Sequence, residues 1–291
     1  WPSSGFFSTR SSRYWSVGFV GGSMSERGRE AILFVYNPRK RGAAAAAADG
    51  RRWCTNRGIP ARITPRREVG LDGVGLVVAI GGDGTLLRVA GAIYPREIPV
   101  FGVNVGGALG FLSIGGGESL IPALERFASG EYEIERRMRL AVGLRGSEVS
   151  ALNDVVFVGP GGHRFTELSV RCGGEEILSF AGDGLVVATP TGSTAYALSA
   201  GGPLIHPTLS AMLLVPLSPH TLGLRPLLLP AGEEIEIKAK YPAHIFADGD
   251  KVGVLKRGNE VYVRKAPVDT LFVRFPDEEG FFSRVWSCFR S

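Results

Sequence analysis

Residues 76–93 read LVVAIGGDGTLLRVAGAI, and the fold class follows from this stretch. Its five apolar residues Leu76–Ile80 predict a short buried strand, and the glycines that come next predict a tight turn. The segment after Thr85 has a helical composition as far as about Ile93. A buried strand that passes through a glycine turn into a helix is typical of a parallel α/β sheet.

Similar elements lie on both sides of this unit. Apolar runs at Ala31–Tyr36, Ile59–Thr64 and Pro99–Val103 predict further strands. Ala43–Ala48 and Ser119–Ser129 predict helices, although the alanine run is also compatible with a low-complexity linker. Continuous apolar strands that alternate with helices predict a parallel sheet covered by helices on both faces.

From about Glu131 onward the pattern changes to short alternating segments separated by turn residues. This pattern predicts a β-rich second domain. The segments are 138–144, 151–158, 167–172, 185–188, 234–240, 252–255, 261–264 and 271–275.

The composition narrows the class of protein only modestly. A net charge of +5 suits an enzyme of anionic phosphates, but it is equally compatible with nucleic-acid binding or with no role. Three widely spaced cysteines predict neither a disulfide framework nor a zinc site, so we expect a reducing cytoplasm. No stretch is a sustained apolar helix, so no membrane span is expected. Residues 1–29 suit a transit peptide or translated upstream sequence, and we expect an unstructured or non-native extension.

The turn Gly81-Gly82-Asp83-Gly84-Thr85 follows the predicted strand Leu76–Ile80. Open α/β sheets bind ligands at the edge where such strands end. The glycines let phosphates approach backbone N–H groups, and the helix N-terminus adds partial positive charge. Thr85 can cap the helix or contact a phosphate. Asp83 is the one ionisable side chain here, so it is placed to accept a proton or to help hold a metal. A glycine turn with Asp as a helix cap is the alternative.

Three further motifs are candidates for ligand contacts. Gly106-Gly107-Ala108-Leu109-Gly110-Phe111-Leu112 follows the next strand, and Phe111 can pack on a ligand ring or, as is more common, in the core. Leu152-Asn153-Asp154 interrupts an apolar strand; Asn153 suits a ribose or an amide, and a bulge or turn is at least as compatible. Ala247-Asp248-Gly249-Asp250 places aspartates where they can close a site, or simply forms a hairpin turn.

The longest motif is GDGLVVATPTGSTAY, at Gly182–Tyr196. It predicts a strand, a tight turn and a helix that continues through Ser199. The segment offers hydroxyls, an aromatic ring and a helix N-terminus without positive charge. That combination favours a base and a ribose over a naked anion.

Two common phosphate-binding motifs are missing. The chain contains no Gly-Lys dipeptide, and hence no P-loop lysine, and it contains no G-x-G-x-x-G spacing. The site must therefore handle phosphates through backbone groups and carboxylate–metal contacts.

Taken in order, these motifs resemble those of the NAD kinases. The matching stretches are GGDGT at Gly81–Thr85, GALGFL at Gly107–Leu112, LND at Leu152–Asp154, GDGLVVATPTGSTAYALSAGGP at Gly182–Pro203 and SPHTLGLRPLLLP at Ser218–Pro230. The resemblance spans roughly residues 30–276, and TPTGSTAY is its most specific part. Two departures are Asp154, where the family more often has Glu, and Ala108, where it usually has a larger polar residue.

The resemblance implies a Rossmann-like parallel-sheet N-terminal domain and a β-sandwich-like C-terminal domain, with NAD between them. We therefore expect a Rossmann-like α/β domain over 30–131 and a β-rich, NAD-binding domain over 132–268. The C-terminal segment, 269–291, is expected to pack back on the N-terminal domain. Family members usually form dimers or tetramers, so the resemblance also implies a homodimer or homotetramer.

The implied activity is phosphoryl transfer from ATP or inorganic polyphosphate, with a divalent metal such as Mg²⁺, to the 2′-hydroxyl of the adenosine ribose of NAD. Asp83 would be the catalytic base, and the phosphate side would be lined by Gly81, Gly82, Gly84 and Thr85. The implied NAD contacts are Phe111, Asn153, Asp154, Asp183, Thr194, Ala195, Tyr196, Ser199 and Asp248. No residue is assigned as a metal ligand, and neither nucleic acid nor a membrane is expected as a partner.

Two alternative functions stay open at this point. A lipid or sphingoid kinase shares GGDGT, as does a phosphofructokinase, but TPTGSTAY together with Leu152-Asn153-Asp154 favours an NAD kinase. A nucleotide-binding sensor without turnover is the second alternative, and the presence of Asp83 argues against it.

Overall fold

A computed structural model describes residues 30–65, 70–106, 110–115, 119–144, 146–160 and 165–290. The strands in these residues are β1 (Ala31–Tyr36), β2 (Ala61–Pro65), β3 (Val74–Gly81), β4 (Val100–Asn104), β5 (Glu133–Arg137), β6 (Leu140–Leu144), β7 (Ser147–Ala151), β8 (Asp154–Val158), β9 (Thr166–Cys172), β10 (Glu175–Gly182), β11 (Gly184–Ala188), β12 (Ala211–Leu217), β13 (Leu227–Pro230), β14 (Glu234–Ala239), β15 (Ala243–Ala247), β16 (Asp250–Leu255), β17 (Glu260–Lys265) and β18 (Thr270–Arg274). The helices are α1 (Ala43–Thr55), α2 (Asp83–Ile93), α3 (Leu120–Ser129), α4 (Tyr196–Ser199) and α5 (Phe281–Arg290), and a 3₁₀ turn covers Thr191–Thr194.

The first sheet has the strand order β2-β1-β3-β4-β18-β5. Strands β2, β1, β3, β4 and β18 pair in parallel, and β5 runs antiparallel to β18. Because α2 directly follows β3, the turn between them lies at the carboxyl edge of this sheet. That edge is where ligands bind in open α/β sheets.

Both faces of the first sheet are buried, because successive side chains of its strands point to opposite faces. On one face Phe34 and Val78 pack with residues of α1 and α3. On the other face Leu33 and Val77 pack with residues of α2. This two-sided burial explains why the strands are continuous apolar runs instead of alternating ones.

The other two sheets are antiparallel and share one core. Their strand orders are β10-β9-β14-β17-β6-β7 and β13-β12-β11-β8-β15-β16. Val142 and Ile237 of the former pack in one cluster with Phe157 and Leu214 of the latter, which is a β-sandwich arrangement. The predicted fold class, a parallel-sheet α/β part with a β-sandwich-like part, is confirmed.

Several elements differ from the sequence-based expectation. The expected helix after Gly192 is a 3₁₀ turn and the four-residue α4. Strands β5, β7, β10, β12, β13 and β15 and helix α5 were not predicted, and β5 belongs to the first sheet although it lies beyond residue 131. Strand β18 joins the same sheet. The division of the chain at 131/132 and 268/269 into separate domains stays a prediction.

Two further expectations concern membrane-spanning helices and the extension over residues 1–29. None of the helices in the described stretches is long and apolar enough to cross a membrane. The expected extension over residues 1–29 lies outside the described residues, as do Gly107, Ala108 and Leu109.

Substitution of Gly184 by Ala should destabilise the protein strongly. A Cβ at Gly184 in β11 would lie 2.0 Å from the carbonyl oxygen of Phe157 in the paired strand β8. Because strand backbones cannot separate without breaking the ladder, we expect the free energy of unfolding to fall by about 3 kcal/mol in urea denaturation.

Gly143→Ala is the matched control, since Gly143 also lies in a strand but a Cβ there meets nothing within 4 Å. It should raise the unfolding free energy by about 0.5 kcal/mol, because alanine loses less backbone entropy than glycine. Equal effects of the two substitutions would contradict the steric argument.

Candidate active site

The turn Gly81–Thr85 is shaped by close packing between its own residues. A Cβ at Gly81 would lie 2.3 Å from the hydroxyl oxygen of Thr85, so only glycine leaves room for this threonine. Thr85 is 2% exposed, and its N–H group donates to the carbonyl of Gly82. Gly84 is exposed, and nothing lies within 4 Å of the position of a Cβ there. The open side of the turn is therefore backbone at Gly84 and the first turn of α2.

The Asp83 carboxylate is gripped by the loop that follows β4. Its Oδ2 accepts hydrogen bonds from the N–H groups of Phe111 (2.6 Å) and Leu112 (3.1 Å). Its Oδ1 accepts from the N–H group (3.1 Å) and the hydroxyl (2.9 Å) of Ser113. Gly110 is required here, since a Cβ would lie 2.2 Å from Oδ1. Four donors occupy about all the acceptor positions that a carboxylate has.

This loop is itself fixed to the first sheet. The N–H group of Ile114 donates to the carbonyl of Gly102 (2.7 Å), and that of Asn104 donates to the carbonyl of Ile114 (3.2 Å). The GALGFL motif thus reaches the GGDGT motif through Phe111 and Leu112, as expected for neighbouring loops at one sheet edge. Phe111 is half-buried and contributes its backbone N–H to Asp83.

Asp248 grips a second turn, Leu152–Asp154, in the same way. Its Oδ2 accepts from the N–H group of Leu152 (2.8 Å), and its Oδ1 accepts from those of Asn153 (2.7 Å) and Asp154 (3.3 Å). Asp248 and Gly249 have φ of 48° and 85°, which is the left-handed geometry of a two-residue hairpin turn between β15 and β16. The hairpin interpretation of this motif is therefore correct, and Asp248 in addition holds the Leu152–Asp154 turn, while its contact with a ligand stays a prediction.

The motif TPTG holds the same turn from its other side. Thr189 donates its hydroxyl to the carbonyl of Leu152 (2.6 Å) and its N–H group to the carbonyl of Asn153 (2.9 Å). The N–H group of Gly192 donates to the Thr189 hydroxyl (3.0 Å), and a Cβ at Gly192 would lie 2.0 Å from the Asn153 carbonyl oxygen. The glycine is therefore needed for contact between the two motifs.

Burial dominates the electrostatics around the Leu152–Asp154 turn. Asp154 is 6% exposed, and burial raises its pKa to about 7, with a further upward contribution from the Asp248 charge. Burial also raises the pKa of Asp248, against the lowering effect of the N–H groups that it binds and of Arg139, 4.0 Å away. Asp154 is thus a buried acid beside a second acid, and it does not lie open to the solvent.

A cleft of about 500 Å³ lies next to α4. It is lined by Val158, Gly159, Asp183, Tyr196, Ser199, Ala200, Leu217 and Ser218. Three of the expected contact residues, Asp183, Tyr196 and Ser199, meet here, and the Tyr196 side chain is 46% exposed. Thr194 and Ala195 directly precede this wall, whereas Asn153, Asp154 and Asp248 lie at the turn described above.

The Asp83 loop and the Leu152–Asp154 turn are joined by packing. Leu112 and Leu152 belong to one buried cluster together with Phe272 of β18.

The amide oxygen of Asn153 is buried, and no side chain or backbone group in the described residues donates to it. An orphaned buried acceptor is costly unless a ligand satisfies it, so it indicates where a donor group of a ligand belongs.

Sequence reasoning missed several residues of this arrangement. Ser113, which donates twice to Asp83, follows directly after the GALGFL motif and could have been found from its position. Ser218 lines the cleft with a φ of 44°, and it begins a motif that had been quoted without a role. Arg274 and Arg284, which contact the Asp83 loop, had no local signal.

The residues around Asp83 do not form a protein-built metal site. No group of three or more His, Cys, Asp or Glu side chains in the described part of the chain could hold a metal ion. The Asp83 carboxylate is itself saturated by backbone and hydroxyl donors. Mg²⁺ commonly binds through one or two carboxylates together with the phosphates of a substrate.

Two family models match the chain. One is described as the ATP-NAD kinase N-terminal domain and matches residues 67–132. The other is described as the ATP-NAD kinase C-terminal domain and matches residues 152–275. The two matches together cover more than half of the chain.

Similar proteins match over most of their own length. The NAD kinase of Heliobacterium modesticaldum is 39% identical over 269 residues, which cover 85% of this chain and 94% of that protein. The NAD kinase of Gemmatimonas aurantiaca is 42% identical over 218 residues, which cover 72% of this chain and 75% of that protein.

Solved structures agree with this likeness. The NAD kinase from Archaeoglobus fulgidus, in complex with ATP, has a TM-score of 0.76 at 25% identity and covers 89% of this chain and 98% of that one. Yeast NADH kinase complexed with NADH has a TM-score of 0.78 at 22% identity, over 88% of this chain and 85% of that one, and supports the fold alone.

The raised pKa of Asp154 makes stability depend on pH. The folded protein retains the Asp154 proton up to about pH 7, whereas the ordinary value for the unfolded chain is 3.8. The folded state therefore binds more protons within this window, and its stability is fully present at low pH and falls as the pH rises towards 7. Relative to Asp154→Asn, the unfolding free energy of the wild type should fall by about 1 kcal/mol per pH unit between these values and level off above.

Urea denaturation at several pH values between 4 and 8 measures this difference. Asn153→Ala is the control, because it alters the same turn without removing a titratable group, so its pH dependence should follow that of the wild type. A constant difference between wild type and Asp154→Asn over the whole range would show that Asp154 ionises normally.

Proposed function

The chain belongs to the NAD kinase family, and from that membership we propose how its own residues carry out the reaction. It is a phosphotransferase that phosphorylates the 2′-hydroxyl of the adenosine ribose of NAD and yields NADP. We propose Asp83 as the general base that takes the proton of this hydroxyl. The observation that supports this role is that Asp83 is the one carboxylate in the turn Gly81–Thr85, at the carboxyl edge of the first sheet, where the glycines leave room for both reactants.

A base needs a free acceptor position, and Asp83 has none while the loop grips it. We propose that the Ser113 hydroxyl gives way when NAD binds. The Ser113 side chain can rotate about its Cα–Cβ bond and carry the hydroxyl oxygen away from Oδ1, whereas the three backbone N–H groups are fixed. Rotation frees one position on Oδ1 for the ribose hydroxyl and leaves the carboxylate in place. Catalytic hydrogen bonds often form only in the complex with substrate.

The proposed NAD site extends from the Leu152–Asp154 turn to the cleft beside α4. The buried, unpartnered oxygen of Asn153 supports its role as an acceptor for NAD. Tyr196 offers an exposed ring, and Asp183 and Ser199 offer polar groups in the same cleft. Thr194 and Ala195 directly precede α4 and are proposed contacts at the edge of the cleft. Phe111, which is half-buried, also stays a proposed contact. Asp154 and Asp248 act in this scheme by shaping the turn.

We propose ATP as the phosphoryl donor, in preference to inorganic polyphosphate. The ATP complex of the similar Archaeoglobus fulgidus enzyme supports this choice. The exposed Gly84 backbone and the N-terminus of α2 are the proposed phosphate contacts, with Gly82 beside them, while Gly81 and Thr85 give the turn its shape. When bound, a divalent cation such as Mg²⁺ would neutralise charge on the donor phosphates. It would arrive with them, since the described residues contain no group of three or more His, Cys, Asp or Glu side chains that could hold it.

Neither alternative function is favoured. The matches over both parts of the chain are to NAD kinases, so a lipid-type kinase that shares only GGDGT is not favoured, nor is a sensor without turnover. A cytoplasmic location stays a prediction. A homodimer or homotetramer also stays a prediction, as does the absence of nucleic-acid and membrane partners.

Asp83→Asn should lower kcat by about 10²–10⁴, because the amide keeps the size of the side chain but cannot take the proton. NAD should still bind, since the binding groups proposed above lie elsewhere. The measurement is NADP formation from NAD and ATP, together with NAD binding by calorimetry.

A titration with Mg²⁺ separates the base from a metal-holding role, because only a lost metal ligand is rescued in part by high Mg²⁺. Wild-type NADP formation by Asp83→Asn at ordinary Mg²⁺ would exclude both roles for this carboxylate.

Tyr196→Ala should raise KM for NAD and leave kcat nearly unchanged. A ring that packs on bound NAD stabilises ground state and transition state alike, so its loss weakens binding without slowing the chemical step. Steady-state kinetics measures both constants. The control is Tyr262→Ala. It removes a similarly exposed tyrosine from β17, which does not line the cleft beside α4, and it should leave both constants unchanged. A loss confined to kcat in Tyr196→Ala would remove this residue from the binding role.

A further inference from the structure

The loop that donates hydrogen bonds to Asp83 accepts hydrogen bonds on its opposite side from two arginines. Nη1 of Arg284 in α5 donates to the carbonyl of Phe111 (3.3 Å). Nη1 of Arg274 in β18 donates to the carbonyl of Leu112 (3.1 Å). These carbonyls belong to the same two peptide groups whose N–H ends, at Leu112 and Ser113, donate to the Asp83 carboxylate.

Each of these peptide groups therefore lies between a cation and an anion. A guanidinium on the carbonyl oxygen polarises the peptide and makes its N–H end a stronger donor. The planar, nearly rigid peptide also transmits position, because fixing the oxygen fixes the direction of the N–H bond. Two such links act in parallel, one on Oδ2 and one on Oδ1 of Asp83.

The arginines are held in place by half-buried carboxylates. Glu278 Oε2 accepts from Arg284 (2.7 Å) and from Arg274 (3.4 Å), and Nε of Arg284 donates to the carbonyl of Glu279 (2.9 Å). Glu135 of β5 lies 3.6 Å from Nε of Arg274. Burial alone would raise the pKa of Glu135, but the charges of Arg137, Arg274 and Arg284 lower it, so this carboxylate stays ionised.

Neither arginine is placed to bind a phosphate directly. The side chains of Arg274 and Arg284 are only 12% and 10% exposed. Every nitrogen of Arg284 and two of Arg274 already contact carboxylate or carbonyl oxygens. An arginine that serves as a phosphate ligand needs a free edge of its guanidinium group.

We propose that Arg274 and Arg284 are positioning residues for Asp83, acting through the peptide groups of Phe111, Leu112 and Ser113. Helix α5 and the end of β18 thereby become part of the active site without contacting substrate. This inference rests on the proposed role of Asp83 as base. Helix α5, whose sequence carries no functional signal, holds the carboxylate rigid while the Ser113 hydroxyl turns away.

A double-mutant cycle tests the proposal. Arg284→Gln and Arg274→Gln are each made alone and combined with Asp83→Asn, and kcat and KM are measured for both substrates. Each arginine variant should lower kcat about 10- to 100-fold, since displacement of a catalytic group by about 1 Å has that effect. KM for NAD and for ATP should stay within about twofold of wild type. In the Asp83→Asn background the same substitutions should change kcat by less than about threefold, because they act through Asp83.

Two further variants separate positioning from general support of the fold. Arg284→Lys keeps the charge but not the fork that reaches Phe111, Glu278 and Glu279 together, so its kcat should lie between those of wild type and Arg284→Gln. Arg126→Gln is the matched control. It breaks the ion pair of Arg126 with Asp277 and its contact with the Phe275 ring, in the same C-terminal stretch, without touching the Asp83 loop. It should lower Tm and leave kcat unchanged.

If Arg284→Gln is unfolded at the assay temperature, the variant that combines it with Glu278→Gln replaces it in the cycle, because no unpaired buried carboxylate then remains. The proposal is overturned if the arginine substitutions act equally in both Asp83 backgrounds, if they raise KM for ATP, or if Arg126→Gln lowers kcat as much as they do. The proposed base fails separately, when Asp83→Asn itself retains wild-type kcat.

Discussion

The rest of the site depends on the hydrogen bonds that the loop after β4 donates to the Asp83 carboxylate. The loop after β4 offers three successive N–H groups and one hydroxyl to a side chain at the start of α2. This geometry explains the missing side chain at Gly110 and the attachment of the loop to Gly102 of β4. The carboxylate at a helix N-terminus is also favoured by the helix dipole. One anion therefore organises two loops at one sheet edge.

The β-rich part of the chain uses the same device a second time. Asp248 accepts from the N–H groups of Leu152, Asn153 and Asp154, as Asp83 accepts from those of residues 111–113. The two gripped turns approach each other through Leu112 and Leu152, which share one apolar cluster. Two turns are thus each held by several hydrogen bonds to one half-buried carboxylate, and the resulting rigidity suits a site that must place a ribose hydroxyl against a base.

Much of the N-terminal sheet could be predicted from the sequence, because its strands are continuous apolar runs followed by glycine turns. Strand β1 has the expected bounds, and α2 ends at Ile93 as expected, although it begins at Asp83 and not after Thr85. Strand β12 was not predicted although Ala211–Leu217 is apolar throughout, because it contains a proline, which argues against a central strand. The short α4 was overestimated as a helix because Gly192 and Ser193 pack against other segments and form a 3₁₀ turn instead.

The sequence by itself determined the fold class, the family and the place of Asp83 at the carboxyl edge of a parallel sheet, because these follow from local runs and short motifs. Only the tertiary structure decided what surrounds that carboxylate. Arg274 and Arg284 lie 162 and 173 residues after the residues whose carbonyls they bind. Asp248 likewise reaches a turn 94 to 96 residues before it. Such contacts depend on which strands become neighbours, and no local pattern of side chains encodes that pairing.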